Sequence, residues 1–279
     1  MKTISDPRKM SSFSLSARKK GLKLGFVPTM GALHEGHIAL VRKAKKTSDI
    51  VVVSIFVNPI QFGPKEDYKK YPRNPKKDAA MLEKENVDIL FYPSAGKMFP
   101  EGFSSFVEVG GPDKGLCGAS RPGHFRGVAT VVAKLFNIVM PEKAFFGAKD
   151  FQQQAVIKKM VKDLDMSVDI VTVKTVREKD GLARSSRNAY LSKAQRSQAP
   201  VIYRSLRLAS KMIKAGETNA AKVTAAARKH ILKGLDFKID YVSIVDPETM
   251  EPQKTIKRPA LIAAAAYLGK TRLIDNILV

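Results

Sequence analysis

Two rhythms of apolar positions run along this 279-residue chain. In the first, short β-branched runs alternate with segments whose apolar residues recur every three or four positions. Residues 24–27 read as a strand closed by Pro28. Residues 49–57, DIVVVSIFV, are almost wholly apolar, as a strand covered on both faces should be. Residues 87–92 and 143–146 have the same character. Between these runs His37, Leu40, Val41 and Ala44 share one helical face. So do Val128, Val131, Val132, Leu135 and Val139, with Pro141 ending that helix. Alternation of this kind predicts an α/β fold, a parallel sheet with crossover helices.

The rhythm changes after about Thr175. Ser192 is a candidate N-cap for a basic, Ala-rich helical stretch reaching about Lys233, with Gly216 and Thr218 marking a turn between two helices. Two strand-like runs follow, residues 238–245 and 260–268, the latter closed by Gly269. Helices followed by strands predict a separate α+β domain. The chain is therefore divided into residues 1–175 and 176–279.

Composition narrows the setting. No apolar run approaches the roughly 18 residues a spanning helix needs, so no membrane segment is expected. The opening MKTISDPRKM lacks the apolar core of a secretory signal. The single cysteine, Cys117, allows no internal disulfide and fits a reducing compartment. A cytoplasmic protein is the expectation. Lys and Arg total 49 against 26 acids, a net charge of +23. That surplus fits three uses: a solvated surface, steering of anionic substrates, or nucleic-acid binding. The bases are scattered, for example over residues 18–20, 43–46 and 254–258, and form no single arm. Tryptophan is absent, and no aromatic repeat offers a base-stacking platform. The solvated surface is favoured, and nucleic acid comes last.

Four stretches carry candidate chemistry. The first, PTMGALHEGH from Pro28 to His37, joins the first predicted strand to the first predicted helix. Helix N-termini offer unpaired N–H groups to phosphate, and Gly31 and Gly36 let a ligand approach the backbone. His34 and His37, three residues apart and half of the chain's four histidines, can both point donors at phosphoryl oxygens. The competing reading makes His37 a packed helix-face residue. No further Cys/His cluster suggests a metal site. The second stretch, FVNPIQFG, places the neutral amides Asn58 and Gln61 at a strand end; taken alone it reads as ordinary strand-end turn chemistry, and the amides also suit a polyhydroxy or carboxylate substrate. The third, GAKDFQQ, either offers Lys149 to a phosphate and Asp150 to ribose hydroxyls or holds the two as a solvated pair. The fourth, Arg184-Ser185-Ser186-Arg187, is either a pyrophosphate clamp or a capped turn.

Taken with SIFVNPIQFGPKEDYKKYPRN, SRPGHFRGVATVVAKLFNIV, DGLARSSRNAYLS and KTRLIDNI, these motifs make the chain resemble the pantothenate synthetase (pantoate–β-alanine ligase) family. That family lies in the nucleotidyltransferase superfamily with a HIGH-type box. The resemblance covers the chain from near Gly25 onward. It implies a Rossmann-like domain, a smaller C-terminal lid, a homodimer, and Mg2+ with ATP, pantoate and β-alanine as substrates. It further implies pantoyl adenylate and pyrophosphate as the first products, then pantothenate and AMP. Carried over by position, Met30, Gly31, Ala32, Leu33, His34, Glu35, Gly36 and His37 line the ATP site, with His37 as the acid and His34 beside it. Gln61 and Gln153 hold pantoate, and Gln61 also lies near β-alanine. Gly147, Ala148, Lys149 and Asp150 bind ATP, Lys149 on the α-phosphate and Asp150 on the ribose. Val176 meets the adenine through its backbone. Arg184, Ser185, Ser186 and Arg187 close on the outer phosphates. Asn58, Tyr71, Arg121 and His124 are supporting candidates, and Asp78 is assigned to placing Mg2+. Arg184 departs from the family, which carries Met or Leu there, and +23 exceeds the charge the family leads one to expect. Two other readings remain: an adenylyltransferase for a different acid, and an RNA-binding relative of the synthetases. Gln61 and Gln153 favour pantoate.

Overall fold

The computed structural model describes residues 1–64 and 66–279. In chain order the elements are β1 (Lys2–Ile4), α1 (Pro7–Lys19), β2 (Leu24–Thr29), α2 (Glu35–Lys45), β3 (Ile50–Ile55), α3 (Pro75–Lys84), β4 (Ile89–Phe91), α4 (Ala95–Met98), α5 (Leu116–Ser120) and α6 (His124–Val139). Then come β5 (Lys143–Gly147), α7 (Phe151–Asp163), β6 (Asp169–Val173), α8 (Lys193–Gln198), α9 (Val201–Lys214), α10 (Ala220–Ile231), β7 (Phe237–Val245), β8 (Leu261–Leu268) and β9 (Thr271–Leu278).

Strands β1 to β6 form one parallel sheet in the order β1-β4-β3-β2-β5-β6. The four strands read from the sequence are all present. β2, however, runs through Pro28 to Thr29. Its pairing with β5 covers only Gly25 and Phe26, whereas Pro28 still lies opposite Ser54 of β3. A proline, which cannot donate, is tolerated where one neighbouring ladder has already ended. From β2 the chain steps outward through β3 and β4 on one side, while β5 and β6 lie on the other. The carboxyl end of β2 is thus the point where strand order reverses, the usual ligand position in an open α/β sheet. Val27, Val41, Val51, Val53, Leu82, Leu90 and Phe145 belong to the core packed around this sheet.

The chain forms two compact units. One comprises residues 1–109, 121–148 and 156–174; the other comprises 110–120, 149–155 and 175–279. The second contains the antiparallel sheet β7-β8-β9. Its predicted helical stretch is three helices: α8, capped by Ser192 with Gln195 reaching back, then α9 and α10, parted by a turn at Gly216 and an Asn219 cap. Central β8 carries the run Ala263 to Ala266. Ala264 and Ala266 join the core formed with Leu206, Ile213, Val223 and Ile231, whereas Ala263 lies with Val245, Met250 and Ala155. This is the two-face alternation a central strand requires. Among the described residues no helix is long and apolar enough to cross a membrane.

Candidate functional site

The loop after β2 is built by backbone bonds to fixed side chains. Thr29 Oγ1 donates to the Ser54 carbonyl at 2.8 Å and accepts from Gly31 N–H at 3.1 Å. Gly31 has φ +81°, and a Cβ there would lie 3.0 Å from both Asp78 Oδ2 and Ile55 Cγ2, so any other residue would be strained. Asp78, in the first turn of α3 and 2% exposed, accepts from Ala32 N–H at 2.9 Å and Leu33 N–H at 2.8 Å. A buried carboxylate engaged on both oxygens by backbone amides holds a turn. It does not fit the expected Mg2+ ligand, and among the described residues no group of three or more His, Cys, Asp or Glu could hold a metal. An Mg2+ carried in on a nucleoside triphosphate would be held largely by phosphate oxygens and water.

The two histidines cap α2. His34 is the N-cap, its Nδ1 accepting from Gly36 N–H at 3.1 Å, while His37 Nδ1 accepts from His34 N–H at 3.3 Å. The rings stack with centroids 4.1 Å apart. A ring nitrogen that accepts carries no proton, so each neutral imidazole holds its proton on Nε2. The cap therefore sets both Nε2 atoms as donors, at the positive end of the helix. The buried face of α2 is Ile38, Leu40, Val41 and Ala44; His37 is only half-buried, against the packed-residue reading. Glu35 is engaged in an ion pair with Arg42.

After β3, Asn58 is 1% exposed and its Nδ2 donates to Gln61 Oε1 and to the Gly127 carbonyl, both at 3.0 Å. Gln61 Nε2 lies 3.1 Å from Met30 Sδ, which brings the second stretch against the first. Gly127 admits this approach: a Cβ there would collide with the Ile60 carbonyl and sit 2.6 Å from Gln61 Cα. The Gln61 backbone is held as well. His124 Nδ1 lies 2.9 Å from the Gln61 carbonyl, which can only accept, so Nδ1 carries the proton and Nε2 accepts from Arg121 at 2.8 Å. Arg121 in turn grips both oxygens of Glu66 at 2.6 and 2.7 Å. Burial pushes the Glu66 carboxyl up, but the Arg121 hydrogen bonds and charge outweigh it and hold it below its ordinary range. Tyr71 is buried, edge-on to Phe62. Sequence reasoning misses Glu66 and Gly127, although both lie inside quoted motifs.

Lys149 sits in the single turn of 3-10 helix Ala148–Asp150, between β5 and α7. Its Nζ is 3.8 Å from Asp150 Oδ2, and its carbonyl accepts from Asn276 Nδ2 at 2.8 Å. Gly147 ends β5, the strand beside β2, and Ala148 follows it. Gln153 is half-buried between buried Gln152 and Gln154. Gln152 is fully used: it accepts from Cys117 N–H and donates to the carbonyls of Pro112, Lys114 and Gly115. Farther on, Arg184 N–H donates to the Val176 carbonyl at 3.0 Å, joining the proposed adenine and phosphate stretches. Ser185 caps the 3-10 helix Ser186–Tyr190 by accepting from Arg187 N–H. The capped turn is thus present, with Arg184, Ser186 and Arg187 half-buried along it.

A family model described as Pantoate-beta-alanine ligase matches residues 2–278. The chain is 54% identical over 276 residues to the pantothenate synthetase of Thermotoga neapolitana, covering 99% of each. It is 53% identical over 278 residues to that of a Sulfurihydrogenibium species, again covering 99% of each. Among solved structures it is similar to the pantothenate synthetase of Thermus thermophilus, with TM-score 0.93, 45% identity and 99% of each chain covered. It also resembles a Francisella tularensis pantoate-beta-alanine ligase complexed with beta-gamma ATP and beta-alanine, with TM-score 0.82, 38% identity, and 100% and 97% coverage.

Proposed function

The chain belongs to the pantoate-beta-alanine ligase family, and from that premise we propose that it joins pantoate to β-alanine through a pantoyl adenylate. A carboxylate is a poor acylating agent. Its oxygen attacks the α-phosphorus of ATP, the bond to the β-phosphate oxygen breaks, and pyrophosphate leaves. The β-alanine amine then attacks the acyl carbon, AMP leaves with the bonding electrons, and the amine's surplus proton goes to solvent or a nearby base. Neither step needs a protein nucleophile. Both need reactants held in line and charge stabilised as it develops on phosphoryl oxygens.

The observation that carries this reading is the pair of imidazoles whose Nε2–H tautomer is set by the backbone of α2 at the reversal point of the sheet. Donors fixed before the substrate arrives need no reorganisation during the displacement, which is where such groups gain their effect. Lys149 is assigned to the α-phosphate, and Asp150 to the ribose. Gln61 and Gln153 are assigned to the pantoate hydroxyl and carboxylate groups. Val176 and residues 184–187 are assigned to the adenine and outer phosphates, and residues 176–279 to a lid in a homodimer. Pantoate-dependent exchange of labelled pyrophosphate into ATP, with no amine present, is the test. We expect exchange with pantoate and ATP alone; exchange that starts only when β-alanine is added would sink the two-step scheme.

A further inference from the structure

The motif KTRLIDNI has no role in the reading above, yet it forms most of β9 and reaches the proposed phosphate lysine. Asp275, 4% exposed on β9, takes both ends of the Arg177 guanidinium at 2.6 and 2.9 Å. Arg177 also donates to the Gly181 carbonyl and lies 3.8 Å over the Tyr203 ring, so the ion pair is packed as well as bonded. Asp275 Oδ1 accepts from the next residue's N–H, Asn276, at 2.8 Å. Asn276 is therefore fixed at its backbone, and its Nδ2 donates to the Lys149 carbonyl at 2.8 Å. Lys149 occupies one short turn of 3-10 helix, the helix type with the poorer internal hydrogen bonds. An external donor on its carbonyl limits how that turn can twist, and with it the direction in which the side chain leaves the backbone.

We propose that Asn276 is a positioning residue for the activation of pantoate, acting by fixing the Lys149 carbonyl so that the ammonium meets the α-phosphate in one orientation. This rests on the assignment of Lys149 made above. Ammonium groups bind phosphate as point charges on flexible stems, so the backbone must supply the precision that the side chain lacks. Asn276 touches no substrate in this scheme, and its loss should lower the rate of activation more than it weakens substrate binding.

The test is a double-mutant cycle on pantoate-dependent ATP–pyrophosphate exchange, using Asn276→Ala, Lys149→Ala and both together. We expect Asn276→Ala to lower the exchange kcat about tenfold with the KM for pantoate within about threefold, and Lys149→Ala to lower it about 10²–10³-fold. In the double variant the cost of Asn276→Ala should nearly vanish, because the group it orients is gone. Asn276→Asp has the same shape but sets an oxygen against the carbonyl, and should match Asn276→Ala; it is read in its place if the alanine form does not fold. Costs that multiply in the double variant would show that Asn276 acts through something other than Lys149. If Lys149→Ala alone costs less than about threefold, the assignment of Lys149 fails, and this inference with it, while exchange by the unaltered chain still reports on the two-step scheme.

Discussion

At the scale of single residues, the two nitrogens of the His34 ring separate a cap from a proposed donor. Nδ1 caps α2 and Nε2 is set as a donor. Asparagine caps a helix as well as any residue, but its shorter side chain places no donor where Nε2 stands. We therefore expect His34→Asn to keep its thermal midpoint within a few degrees while pantoate-dependent exchange falls about 10²–10³-fold, the usual cost of removing one preorganised donor. Exchange within about threefold of wild type would leave His34 as a cap alone. The two histidines stand out in the sequence because their type, their spacing and their place between a predicted strand and a predicted helix point together to anion chemistry. Asp78 is given to Mg2+ by the resemblance alone; its partners in the fold, the amides of Ala32 and Leu33, lie more than forty residues away, and one sequence does not reveal such a pairing. Glu66, fifty-five residues from Arg121, escapes notice for the same reason.

At the scale of elements, strands buried on both faces announce themselves as apolar runs, whereas the edges do not. β1 has three residues, too few to show a period. β9, TRLIDNIL, alternates buried and half-buried positions, but its charged residues hide the alternation. α1 does carry a usable signal: Asp6 caps it, Pro7 opens it, and Met10, Ser14 and Ala17 form its buried stripe. The tie from Glu66 through Arg121 and His124 to the Gln61 carbonyl links the loop after β3 to the start of α6. Because Arg121 holds the Glu66 carboxyl below its ordinary range despite burial, the carboxylate contributes stability above the unfolded-chain value of about 4.3 and loses it as pH falls through the lower folded value. We expect Glu66→Gln to be less stable than wild type at pH 7, with the gap between their thermal midpoints closing below about pH 4. A gap that stays constant from pH 7 to pH 3 would show that the ionised form of Glu66 adds nothing to this tie. Loss of the tie should also raise the KM for pantoate at pH 7, since it holds the Gln61 backbone.

At the scale of the whole molecule, the order of elements is legible: α/β alternation first, helices then strands afterwards, matching the six-stranded parallel and three-stranded antiparallel sheets. The net charge of +23 is a different kind of signal, since it constrains neither sheet and must act, if it acts, through long-range fields. Steering raises association rates, so it shows in kcat/KM only when encounter limits turnover, near about 10⁸ M⁻¹s⁻¹. A ligase that must align three substrates, and on the proposed scheme pass through two chemical steps, is expected to run well below that ceiling. Surplus charge spread over a solvated surface should then leave little kinetic trace. We expect kcat/KM for ATP, measured at saturating pantoate and β-alanine with Mg2+ held constant, to change by less than about threefold between roughly 0.05 and 0.5 M KCl, a range over which the screening length falls from about 14 to about 4 Å. A fall of tenfold or more in kcat/KM at unchanged kcat would assign the surplus to capture of the anionic substrate. The same series with a short RNA duplex in place of substrate separates the remaining use: binding to RNA that survives about 0.2 M salt needs a specific surface, and the scattered bases of this chain are not expected to supply one.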